Sequence, residues 1–208
     1  MFLLLIIRTQ KVAFISWTQA LFAKGNFTQS LDFKIIKEEI HSAIQHVVWG
    51  SENLFLINPI RKGNGVVPIK KNFVSFLQSK GWLAEQQMTC VNGINPGPID
   101  VIKKISQGVF AVEWETGNIS SSHRALNKIA VGIIQNSLIG GILILPKRSL
   151  AQFLTDRIGN YEEISPYFTL YQHLDIQNGF IGIIAVNYDE INTEVSIIPK
   201  GKDGNAMK

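Results

Sequence analysis

Three carboxylates stand where chemistry is possible. Pro98-Ile99-Asp100 closes a Gly/Pro-rich turn, and Glu113-Trp114-Glu115 ends an apolar run that begins at Gly108. Alternation marks that run as a strand, and its period of two puts Glu113 and Glu115 on one face. Two carboxylates at the end of an apolar strand are costly unless positive charge lies beside them. A divalent cation is the simplest source of that charge. An Asp after a turn, followed by Glu-x-Glu across a hairpin, is the acidic skeleton of a metal-dependent phosphodiesterase. Such hydrolysis needs an activated water, a neutralised scissile phosphate and a stabilised leaving alkoxide. Carboxylate-bound Mg²⁺ supplies the last two, and a nearby base assists the first. In this reading Asp100 and Glu113 share the metal and Glu115 is the base, with hard oxygen donors selecting Mg²⁺ or Mn²⁺ over zinc. The competing reading is a solvent-facing edge strand with a chance Pro-Ile-Asp upstream. The three carboxylates alone do not choose between the two.

Directly after Glu115 the chain turns at Gly117-Asn118 and opens a helix, for which Ser120, Ser121 and Ser122 are candidate N-caps. Asn118, Ser120 and Arg124 lie at its tip. A helix tip in a major groove presents such side chains to base edges, Arg suiting guanine and Asn suiting adenine. Asp156-Arg157 adds a second donor and acceptor pair, for guanine and cytosine respectively. Lys70, at the start of another helix, has the charge to hold a phosphate. Each also has an ordinary reading: turn and cap chemistry for Asn118 and Ser120, a surface ion pair for Asp156-Arg157, a surface lysine for Lys70. Glu85 lies outside any strong periodic pattern and gains meaning only if the fold brings it near Asp100.

The elements that must position these residues are legible in outline. Ser30 to Trp49 reads as a helix capped by Ser30, with Phe33, Ile36, Ile40, Ala43 and Val47 along one face. Lys70 to Gly81 reads as a second helix closed by Gly81. Leu126, Ile129, Ala130, Ile133 and Ile134 form the expected buried stripe of the helix after Glu115. Gly140 to Pro146 is a continuous apolar run, hence a strand covered on both faces. A strand, a helix and a strand in that order imply a crossover between parallel neighbours. Tyr167 to Leu174 and Phe180 to Tyr188 read as two further strands around an Asn178-Gly179 turn. Met1 to Ile7 is an apolar segment ended by Arg8, too short to span a membrane and without a basic region before it, so it is expected to dock on the core. Residues 197 to 208 read as a Gly- and Lys-rich mobile tail.

The 208 residues suit a single domain, and 46% hydrophobic with 17% charged residues is an ordinary globular composition. The net charge of +4 is mild support for a polyanionic partner. The single cysteine, Cys90, excludes an internal disulfide and a Cys-rich zinc site, which suits a reducing cytoplasm.

Taken together, the chain resembles the BamHI-like type II restriction endonucleases, within the PD-(D/E)xK nuclease superfamily, from about Asn64 to Asn205. The resemblance is carried by Asn64-Gly65-Val66-Val67-Pro68-Ile69-Lys70, Gly97-Pro98-Ile99-Asp100-Val101, Glu113-Trp114-Glu115-Thr116-Gly117-Asn118-Ile119-Ser120-Ser121 and His123-Arg124. It continues in Leu154-Thr155-Asp156-Arg157, Pro166-Tyr167-Phe168 and Ile198-Pro199-Lys200-Gly201. The resemblance implies an α/β fold in which a central mixed β-sheet is flanked by helices. It implies Asp100 and Glu113 as metal ligands, with Glu85 and the backbone carbonyl of Trp114 completing the set. Glu115 stands where most of the superfamily has lysine and is implied to activate water. Lys70, Asn118, Ser120, Arg124, Asp156 and Arg157 are implied DNA contacts, with Gly201 and Asp203 on a C-terminal arm (197 to 208) near the minor groove. The implied target is the palindrome GGATCC, cut after the first G to leave four-base 5′ overhangs. A homodimer on double-stranded DNA follows from the palindrome. Mg²⁺ is the implied cofactor, with Mn²⁺ able to substitute and Ca²⁺ supporting binding without cleavage. A bacterial cytoplasmic enzyme accompanied by a cognate DNA methyltransferase is the implied setting. Other readings are a relative of the same fold with altered specificity, a non-catalytic DNA-binding relative, and a structure-specific repair or RNA nuclease.

Overall fold

The apolar run Gly140–Pro146 is buried at every position because it lies inside a six-stranded sheet covered on both faces. The computed structural model describes residues 15–88, 96–155 and 157–200. The expectations for Met1 to Ile7, Asp156, Gly201, Asp203 and the rest of the tail after Lys200 fall outside the described residues. In chain order the elements are β1 (Ile15–Lys24), α1 (Leu31–Gln45), β2 (Leu56–Ile57), α2 (Val67–Ser79), β3 (Leu83–Gln87), β4 (Pro98–Ile105), β5 (Gly108–Trp114) and α3 (Ile119–Ile134). They continue with β6 (Gly140–Pro146), α4 (Arg148–Ala151), α5 (Tyr161–Ile164), α6 (Phe168–Gln172), β7 (Gly179–Val186) and β8 (Glu190–Ile191).

The large sheet has the order β1-β7-β6-β5-β4-β3, and β2 pairs separately with β8. Strands β3, β4 and β5 are antiparallel neighbours, whereas β5, β6 and β7 run parallel. The α3 crossover between β5 and β6 makes the first parallel step possible. The sheet is therefore mixed and flanked by helices, as the sequence implies. Alternate residues of β5 serve the two faces. Phe110 and Val112 pack with Phe33 and Ile36 of α1 and Phe73 and Leu77 of α2. Ala111 packs with Leu126 and Ile129 of α3 and with Phe168 and Tyr171 of α6. No helix among the described residues is long and apolar enough to cross a membrane.

Several local expectations are corrected. Ser30 does cap α1, its hydroxyl accepting from Phe33 N–H at 3.1 Å, but the helix stops at Gln45 rather than Trp49. Helix α2 starts earlier, at Val67, because Pro68 is acceptable in a first turn. The cap of α3 is Asn118, whose Oδ1 accepts from Ser121 N–H at 3.1 Å, rather than one of the three serines. Ile134 is 55% exposed, so the buried stripe ends at Ile133. Tyr167 to Leu174 contains helix α6 rather than a strand, entered through a 3₁₀ turn at Ser165–Tyr167 with Pro166 in its first turn.

Candidate active site

The register of the β4–β5 hairpin builds the site. Val101 pairs with Val112, so one step further along Asp100 faces Glu113. The Asp100 N–H donates to Glu113 Oε2 at 3.3 Å, and the Trp114 N–H donates to Asp100 Oδ2 at 2.8 Å. Two ammonium groups converge on this pair from opposite helix layers. Lys70 of α2 lies 2.5 Å from Asp100 Oδ1. Lys128 of α3 forms an ion pair with Glu113 Oε1 and donates to the Pro98 carbonyl at 2.6 Å. Glu113 Oε1 is buried, and the Lys128 ammonium lies directly against it.

The electrostatics follow from this packing. Burial, then the neighbouring Asp100, pushes the Glu113 carboxyl up to about 7, against the opposing pull of Lys128. Glu115 is also raised, first by burial and then by Asp100, while the Gly117 N–H and Lys70 favour its charged form. That N–H donates to Glu115 Oε1 at 2.7 Å. For Lys70, burial is the largest influence and favours the neutral amine, but Asp100, Glu85 and Glu113 together outweigh it and raise its pKa. A buried carboxylate pair of hard oxygen donors that resists double ionisation fits a hard divalent cation. Among the described residues, however, no group of three or more His, Cys, Asp or Glu side chains converges on one point. The carboxylates that face each other are Asp100 and Glu113. Glu85 is aligned with Asp100 by the flanking pairs Ala84 with Val101 and Gln86 with Ile99. It has a left-handed backbone (φ 51°) and it is exposed. Its charge is felt at Lys70.

Of the remaining candidates, three lie at the tip of α3, one turn of chain after Glu115. Asn118, Ser120 and Arg124 are exposed at the start of α3. Arg157 is exposed with φ 65°. Two residues on, Gly159 N–H donates to the Gly117 carbonyl at 2.8 Å, which joins the Arg157 segment to the α3 tip. A Cβ at Gly159 would lie 2.8 Å from Ser122 Oγ and 2.9 Å from Ile119 Cα, so the approach requires glycine. The chain leading to the C-terminal arm is fastened by Asn64, which is fully buried. Asn64 Oδ1 accepts from Ile198 N–H at 3.2 Å, and its amide donates to the carbonyls of Asn58 and Phe153 at 2.8 and 3.0 Å.

Lys128 and Asn64 are residues to which the sequence assigned no role. For Lys128 a signal existed: it shares a helical row with Ala125 and Gly132, small residues of a buried face, where a lysine without a partner is costly.

Comparison with known proteins shows the family. The family model described as "Restriction endonuclease BamHI" matches residues 14–205. The type II restriction enzyme OkrAI of Oceanobacter kriegii is 45% identical over 175 residues, covering 84% of this chain and 90% of that protein. The type II restriction enzyme BamHI of Bacillus amyloliquefaciens is 36% identical over 179 residues, covering 82% of each chain. Among solved structures, the restriction endonuclease BglII, crystallised with a DNA 16-mer, superposes with a TM-score of 0.56 at 12% identity. That superposition covers 82% of this chain and 77% of BglII, and it bears on the fold. With a family model spanning nearly the whole sequence and two relatives of this identity, the chain belongs to the BamHI family of type II restriction endonucleases.

Proposed function

We propose that this endonuclease is a Mg²⁺-dependent homodimer that cuts double-stranded DNA at GGATCC, after the first G, leaving four-base 5′ overhangs. The observation that carries the reading is the facing Asp100–Glu113 pair, set directly beside the exposed tip of α3. When bound, Mg²⁺ neutralises the scissile phosphate and stabilises the leaving oxygen. Asp100 and Glu113 are assigned as its ligands, with Glu85 and the Trp114 carbonyl completing the set. Glu115 is assigned as the base that takes a proton from the attacking water, a role helped by a carboxylate more basic than usual. Lys128 orients Glu113 from behind through its ionic contact with Oε1.

Asn118, Ser120 and Arg124, with Asp156 and Arg157, are assigned to base edges in the major groove. Lys70 is a contact beside them, and Gly201 and Asp203 approach the minor groove. Asn118 already caps α3, so its side-chain nitrogen is the group left to address a base. The homodimer is supported by exposed apolar side chains on neighbouring helices, Val131 and Ile134 on α3 and Tyr167 and Leu170 around α6. These two helices are joined by the Tyr171 hydroxyl donating to Asn127 Oδ1 at 2.8 Å and by the His123–Tyr167 ring contact. Mn²⁺ is assigned as a substitute for Mg²⁺, and Ca²⁺ as a cation that supports binding alone. A cognate methyltransferase in a bacterial cytoplasm completes the proposal. The test is a plasmid cleavage assay on Asp100→Asn and Glu113→Ala, paired with DNA binding in Ca²⁺. Both variants are expected to lose cleavage, and Glu113→Ala to keep most of its binding. Cleavage retained by either overturns the metal assignment.

A further inference from the structure

The two lysines at the carboxylate pair are not equivalent. Lys128 is 8% exposed and is held on the inner side by two partners, Glu113 and the Pro98 carbonyl. Lys70 is 34% exposed and lies against Asp100 Oδ1. The other oxygen of Asp100 already accepts the Trp114 N–H, so Oδ1 is the oxygen best placed to bind a cation. An ammonium and a divalent ion on one carboxylate oxygen repel each other at a few ångströms, in a site too buried for water to screen them fully. A DNA phosphate offers the half-exposed ammonium of Lys70 a second anionic partner, which the buried Lys128 cannot reach.

We propose that Lys70 and the divalent cation compete for Asp100, and that docked DNA relieves the competition by drawing the Lys70 ammonium onto a phosphate. This rests on the metal reading of the Asp100–Glu113 pair. By linkage, DNA then tightens cation binding and the cation tightens DNA binding by the same factor. The free enzyme is thereby kept poorly loaded until a duplex is in place.

Calorimetric titration of Ca²⁺ into the full chain, with and without a GGATCC duplex, tests the proposal. Wild type is compared with Lys70→Met, which keeps the apolar stem, with Lys70→Gln, which keeps a neutral donor, and with Asp100→Asn; thermal melts verify that each is folded. Without DNA, Lys70→Met is expected to bind Ca²⁺ about tenfold more tightly than wild type, with Lys70→Gln in between. The duplex is expected to tighten Ca²⁺ binding more in wild type than in Lys70→Met. Equal Ca²⁺ affinities without DNA, or equal tightening in wild type and Lys70→Met, overturns the competition while leaving the metal site standing. Ca²⁺ binding that survives Asp100→Asn contradicts the metal site itself, and the competition with it.

Discussion

Glu113 is a carboxyl held against its own charge, and that has a consequence for stability. Its pKa lies near 7 in the folded chain against an ordinary value of 4.5. The native state thus keeps a proton that the unfolded chain releases, and folding is favoured where that proton is bound. The contribution is fully present below about pH 4.5 and is lost as pH rises through about 7, with a size on the order of 3 kcal/mol. Denaturant titrations of cation-free protein across this window should show wild type losing stability relative to Glu113→Gln, which has no proton to lose. Parallel curves for the two proteins contradict the assignment of the raised pKa to Glu113. A divalent cation requires the ionised form, so its binding below pH 7 is expected to release protons, and the cleavage rate to climb as pH rises through about 7. A rate independent of pH between 6 and 8 argues against Glu113 as a ligand.

At the scale of elements, the residues proposed for catalysis and for recognition share a short piece of backbone. Strand β5 ends at Trp114, the chain turns at Gly117, and α3 begins at Ile119, so a proposed metal ligand and the proposed base readers are separated by a single turn. Gly159 fastens the Arg157 segment to that turn. Gly159→Ala forces a Cβ against Ser122 and the Ile119 backbone and should cost roughly 1–3 kcal/mol. It should also weaken affinity for GGATCC by more than affinity for non-specific DNA, and so narrow the gap between them. Unchanged discrimination argues that the two segments act separately. Asn118→Ala removes a helix cap worth about 1 kcal/mol together with a proposed base contact. Restoring the cap with Asn118→Asp should recover thermal stability but not affinity for GGATCC.

Legibility in the sequence varied for physical reasons. The hairpin carboxylates, the buried strand β6 and helix α1 follow from short-range periodicity. Strand β1 was hidden because its register shifts between Ile15 and Trp17, and again between Ala20 and Phe22, break the period of two. Helix α6 was hidden by Tyr167, Phe168 and Thr169, whose strand preference yields to packing against β1 and α3. The Lys128–Glu113 contact joins two elements, so spacing along the chain could suggest only that Lys128 needed a partner.

The proposed palindromic target requires the whole molecule to deliver two such sites. Sedimentation should report a dimer, and Ile134→Glu with Leu170→Glu should shift it towards monomer while leaving each monomer folded; a dimer that persists in the double variant places the interface elsewhere. Affinity for DNA should fall steeply and log-linearly with salt, since phosphate contacts release counterions, and a flat response contradicts backbone binding. The most direct measurement is digestion of a plasmid of known sequence, followed by sequencing of the ends. With Mg²⁺, every GGATCC is expected to yield ends carrying 5′-GATC, and a chelator is expected to leave the plasmid intact. Ends at another sequence contradict the reader assignment, and cutting in the presence of chelator contradicts the cation held by Asp100 and Glu113.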